Sequence, residues 1–112
     1  MDDRELLEKA ARAAGYQVSW HDRWGCFVHV KPHNTDNPPT MAGQRLVWVP
    51  LDDDGDALRL AVKIELQLRL RHSENEVSAY GSPEGRVDEG VRGDANAATR
   101  RAIVRAAAAM CH

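Results

Sequence analysis

No apolar run in this chain approaches the roughly 18 residues that a bilayer-spanning helix requires, so nothing in it predicts a membrane segment. The first ten residues, MDDRELLEKA, are acidic and lack the apolar core of a secretory signal, so none is expected. Cysteine is scarce. Cys26 and Cys111 are too few for a disulfide framework and read as free thiols of a reducing cytoplasm. There is one phenylalanine, and three of the few aromatic residues are tryptophan. Charge of one sign is also missing. The net charge of −2 leaves no basic field to hold nucleic acid non-specifically. What remains is an ordinary globular composition, 43% hydrophobic and 29% charged, over 112 residues, which is the size of one domain.

The periodicities order the chain. In DDRELLEKAARAAG, Leu7, Ala10, Ala11 and Ala14 fall on one helical face, with Asp2 or Asp3 placed to cap the start and Gly15 the end. YQVSW alternates and CFVHV follows a short turn, which reads as a hairpin. KPHNTDNPPTMAGQ is a loop by its prolines and asparagines, and RLVWV is a third strand. Beyond Pro50, DALRLAVK places Leu58, Ala61 and Val62 at helical spacing. IELQLRLR then switches to a period of two, with Glu65, Gln67, Arg69 and Arg71 on its polar face. SEN is a turn, EVSAY a last strand, and SPEGRVDEGVRGD a mobile loop. Asp94 then caps a final helix with Ile103, Ala106, Ala107 and Met110 as its buried stripe. The order α-β-β-β-α-β-β-α predicts an α+β fold in which a mainly antiparallel four- to five-stranded sheet packs with three helices.

Four aspartates crowd the stretch WVPLDDDGDALRLAVKI, at Asp52, Asp53, Asp54 and Asp56. A calcium loop of the EF-hand type needs carboxylates at positions 1, 3 and 5, glycine at 6 and glutamate at 12. Starting at Asp52 puts Ala57 at position 6 and Lys63 at position 12, so the register fails. Helix capping accounts for the cluster instead. His21, Cys26, His29 and His33 invite a zinc site, with a Cys-x2-His-x3-His spacing that superficially suits the metal, but Cys26 and His29 sit an odd number of places apart in one strand and point to opposite sheet faces. The same geometry defeats a Cys26–His29 nucleophile–base pair. No nucleophile elbow or phosphate loop occurs, so the expectation is a protein that is not an enzyme, with no metal and no cofactor. Candidate partner-binding residues are Trp24, placed in a turn, the acidic Asp52, Asp53, Asp54 and Asp56, and Arg100, Arg101 and Arg105 on the last helix.

The block WVPLDDDGDALRLAVKI and the closing DANAATRRAIVRAAAA resemble small proteins of tailed phages and prophages. These carry a W-x-P-L-x-D-D-x-D-A-x-R-L-A-V-K-L block and a closing A-T-R-R-A-I-V-R-A-A helix. The likeness, over roughly residues 4–20 and 46–110, is to the phage ABA-sandwich domain family and, more distantly, to the Nin-region accessory proteins called NinX; the PHNTDNPPTMAG insertion departs from it. The resemblance implies one domain over 1–112, expressed in a host cytoplasm and acting by non-covalent binding. It carries no catalytic residue across. Three readings follow. In the first, the protein inhibits a host defence protein, its acidic cluster imitating phosphates. In the second, it binds a small ligand such as a nucleotide through the last helix and the glycine-rich 81–93 segment. In the third, which the net charge disfavours, it is a nucleic-acid-binding accessory. A homodimer is open under all three.

Overall fold

The structure is a computed structural model that describes residues 2–30, 47–71, 75–81 and 85–111. Helix α1 spans Asp3–Ala14. The Asp2 carboxylate accepts the Glu5 N–H at 2.8 Å, and Gly15 closes the helix in the left-handed region at φ 78°. That conformation lets the Tyr16 N–H return to the Ala11 carbonyl at 2.9 Å, satisfying a helix-end acceptor. Strands β1 (Val18–His21), β2 (Cys26–His29) and β3 (Val47–Trp48) form an antiparallel meander. Its register sets Trp20 opposite Phe27 and Phe27 opposite Trp48, so the three rings share one face. Phe27 and Trp48 are buried there, and Trp20 meets Phe27 edge to face at 5.1 Å.

Helix α2 (Asp54–Lys63) buries Ala57, Leu60 and Ala61, while Leu58 and Val62 are 59% and 69% exposed. The expected apolar face is thus turned by one residue. Alanine at 57 and 61 lets the helix lie against its neighbour, and Leu60 supplies the bulk between them. The helix stops where Glu65 enters positive φ (57°) and the Leu66 N–H bonds the Ala61 carbonyl at 2.9 Å. Glu65 is therefore a helix-ending residue, not part of a strand's polar face, and β4 begins two residues later.

Strands β4 (Gln67–Arg71), β5 (Glu76–Gly81) and β6 (Gly85–Gly90) form a second antiparallel meander in the order β4-β5-β6. Two expectations are corrected here. The described strands do not form one sheet of four or five, because β3 and β4 are separated by α2 and, among the described residues, each meander pairs only with itself. And residues 85–90, read as mobile loop, are a strand paired along its whole length with β5. GRVDEG has a single apolar residue between glycines and charges, so its own sequence carries no strand signal. Pairing makes the strand. The loop expected at 31–44, the residues Arg45 and Leu46 of the third strand, His33, and most of the SEN turn lie outside the described residues.

Helix α3 (Ala95–Ala109) joins the two halves. Asp94 caps it, accepting the Ala97 N–H at 3.0 Å. Its Ala98, Ala102 and Ala106 pack on Val77 and Ala79 of β5. Its Ile103, Val104, Ala107 and Ala108 enter a larger core with Ala10, Ala11 and Ala14 of α1, Leu60 of α2, Phe27 and Trp48. Alanine on both sides is what allows one helix to serve two cores, since a larger side chain on either face would hold the layers apart. The fold is α+β, and the described residues form three helices and two antiparallel three-stranded sheets. Among the described residues, no helix is long and apolar enough to cross a membrane.

Candidate functional site

The aspartate cluster forms a structural hinge. The Val49 carbonyl accepts the N–H groups of Asp52 and Asp53 at 2.9 and 2.8 Å, which folds the chain back after β3. The Val49 N–H is donated to Asp56 Oδ2 at 2.9 Å, and Arg59 donates to Asp56 Oδ1 at 2.6 Å. Asp56 is only 3% exposed. Asp53 is the N-cap of α2, accepting the Asp56 N–H at 2.8 Å. Asp54 pairs with Arg100 at 2.6 Å, and Asp52 alone of the four is exposed with no side-chain hydrogen bond or ion pair to a described residue.

The three arginines of α3 diverge. Arg100 is largely buried and bonds the Leu51 carbonyl at 2.8 Å besides Asp54, fastening α3 to the turn before α2. Arg101 reaches both carboxylate oxygens of Asp3 at 3.0 and 3.2 Å, fastening α3 to α1. Arg105 bonds Glu89 and, at 3.2 Å, the Asp88 carbonyl, fastening α3 to β6. Each guanidinium has an acidic partner on a different element, so the three form no common basic patch. Trp24 is 56% exposed in the β1–β2 turn, stacked on His21 with ring centroids 4.2 Å apart. Cys26 and His29 lie three residues apart in β2, which puts them on opposite faces. Among the described residues, no three His, Cys, Asp or Glu side chains are placed to share a metal ion.

Two surfaces remain. One is a cleft of about 360 Å³ where α1, the first sheet, the 49–52 turn and α3 converge. Leu7, Trp20 and Leu51 give it apolar walls, and Asp3, Asp52 and Arg101 polar ones. Arg4 lies over the Trp20 ring at 4.5 Å, beside this opening. The other is the outer face of the second sheet. Residues opposite each other across antiparallel strands share a face, so Arg69, Ser78 and Asp88 lie together, with Gln67, Tyr80 and Arg86 on one side and Arg71 and Glu76 on the other.

No family model, curated protein or solved structure matches this chain.

The outer face is thus read from its own chemistry. Ser78 is fully buried at its centre, beneath longer side chains, and donates to Asp88 Oδ1 at 2.6 Å. Arg86 Nε donates to the same oxygen at 2.7 Å and its other end approaches Glu76 at 3.5 Å. Arg71 approaches the same Glu76 oxygen at 3.6 Å, and Arg86 lies over the Tyr80 ring at 5.8 Å. α3 packs on the opposite face of this sheet, against β5 and β6. The Ser78 hydroxyl and then the Arg86 guanidinium hold the Asp88 carboxyl below the usual carboxylate range. Its folded value lies under the unfolded one. The resulting stabilisation is therefore present above the ordinary carboxylate pKa and disappears as pH falls through the depressed value. Carboxyl-carbon NMR titration should find Asp88 titrating below a normal aspartate, and Ser78→Ala should move it upward with Arg86 still in place.

None of Glu76, Ser78, Tyr80 or Asp88 stands out in the sequence as a site, and Arg86 does so only as a possible neighbour of the arginines on the last helix. The signal is a period-two polar set in EVSAY; which residues of GRVDEG face it follows only from the pairing of β5 with β6.

Proposed function

We propose that this protein is a small accessory protein that works by non-covalent binding of a protein partner, using the outer face of the β4–β5–β6 sheet. The observation behind this reading is that α3 packs on one face of that sheet while the other carries a polar array in which Arg71, Glu76, Arg86 and Asp88 are ion-paired, Arg86 lies over Tyr80 and Arg69 stands exposed beside them, with no described helix over it. A face whose side chains are fixed in place loses little conformational entropy on binding. The likeness of the aspartate block and closing helix to phage proteins supports a host protein as partner, including one that serves host defence, and a host cytoplasm as the setting. Asp53, Asp54, Asp56, Arg100, Arg101 and Arg105 take part in this reading as builders of the scaffold, and Trp24 and Asp52 as outlying contacts.

The test is affinity purification from host lysate with the wild-type chain and with an Arg86→Glu, Tyr80→Ala variant. A stoichiometric protein retained by the first and lost by the second, at unchanged melting temperature, is the expected result. A partner retained equally by both, or none in a host where the gene has a phenotype, overturns the assignment.

The cleft favours a second reading, a small-molecule binder, since its volume falls in the range of ligand pockets. A thermal-shift screen with nucleotides decides it, because a ligand bound only by the folded state raises the melting temperature.

A further inference from the structure

The two edges of the second sheet are not equivalent. On β6, α3 reaches over through Arg105, which bonds the Asp88 carbonyl and the Glu89 carboxylate. On β4 the described residues provide no such cover. β4 is the terminal strand of the sheet, its first four residues are exposed, and it contains neither proline nor glycine. Proteins usually blunt such an edge, because its free N–H and C=O groups invite another strand.

The side chains of β4 state what kind of strand would fit. Leu68 and Leu70 pair with Ala79 and Val77, both buried against α3, so the leucines stand on the inner, apolar face. α3 lies over β5 and β6 rather than over β4, and the leucines are left 36% and 54% exposed. On the outer face, Arg71 is paired with Glu76, but Arg69 is exposed and has no ion pair or hydrogen bond with a described residue. An added strand would set apolar side chains beside Leu68 and Leu70 and an acidic one beside Arg69. A second copy of this chain does not meet that pattern. In the antiparallel register that pairs all of β4 with itself, Arg69 faces Arg69 of the other copy, and like charges directly opposite are destabilising.

We propose that the free edge of β4 binds, by strand addition, an extended segment of a partner protein in which acidic and apolar residues alternate. This rests on the reading of the protein as a binding module and adds to it the form of the partner's contact segment. Backbone pairing along Gln67–Arg71 supplies the attachment, the leucines exclude water on one face, and Arg69 selects charge on the other.

The probe is a short fluorescent peptide alternating valine and glutamate, compared with one alternating valine and lysine and with a scrambled glutamate peptide. The expected result is saturable binding of the alternating acidic peptide only, with slowed hydrogen exchange at alternate amides of residues 67–71. Arg69→Glu should weaken that peptide about tenfold and transfer the preference to the lysine peptide. The exchange pattern is measured on the wild-type chain, so the test does not depend on a variant folding. Equal binding of acidic and basic peptides, protection elsewhere than β4, or no binding overturns the proposal, as does a dimer in sedimentation that protects the same amides without peptide. Capture of a partner on the outer face together with failure of the peptide leaves the binding module standing and removes the β4 edge from it. Peptide binding that survives Arg86→Glu, Tyr80→Ala supports the edge independently of that face.

Discussion

Asp56→Ala should lower stability by about 3 kcal/mol, a fall in melting temperature of about 10–15 °C for a chain of this size. Two losses add up. The Val49 N–H, donated to Asp56 Oδ2, is left without its acceptor beside the end of β3, and an orphaned buried donor costs about 1–3 kcal/mol. The Arg59 bond to Asp56 goes too, and because the Arg59 side chain is 60% exposed it adds only about 0.5–1 kcal/mol. Asp56→Asn should cost less, since an amide oxygen can still accept from Val49 while its NH₂ faces the guanidinium unfavourably. Chemical denaturation of the three proteins checks the order wild type, Asn, Ala. An Ala variant as stable as wild type would show that the turn after β3 is held without this carboxylate.

The same aspartates show what could be read from the sequence. Capping was legible because it is local: Asp2, Asp53 and Asp94 each accept the N–H three residues on. Helix α1, the hairpin and the change of period after α2 were legible for the same reason, since each depends on residues close in the chain. The partners of Asp54, Arg100, Arg101 and Arg105 were not, because they are bonded across the fold, Arg101 to Asp3 and Arg100 to Asp54. A row of arginines on one helix looks like a basic patch until the neighbouring elements are placed. The division into two sheets was hidden likewise. Nothing in RLVWV or IELQLRLR says whether they pair with each other, and β6 has no pattern of its own. Of the candidate surface, β4 could be seen beforehand through the alternation of Leu68 and Leu70 with Arg69 and Arg71, and β5 as the short strand EVSAY, while β6 could not. Which residues face one another came from pairing.

Position 102 shows how closely the two cores depend on one helix. Ala102 is fully buried between α3 and β5, next to Ala98, Ala106, Val77 and Ala79. Leucine there needs space that no neighbour can yield. If α3 moves away from the second sheet, it compresses Ile103, Val104 and Ala107 against α1 and α2, and the bonds from Arg100, Arg101 and Arg105 resist the shift. Overpacking a well-filled core costs about 1–3 kcal/mol, and a helix confined on both sides should reach the top of that range, about 3 kcal/mol. The exposed Val62→Leu is the control and should change stability by less than about 0.5 kcal/mol. Because β6 is held by β5 and by α3, the damage should spread unevenly. In Ala102→Leu, amide exchange should accelerate first in residues 85–90 and only later in α1. Uniform acceleration, or a melting temperature equal to wild type, would mean that α3 does not couple the two cores as its packing requires.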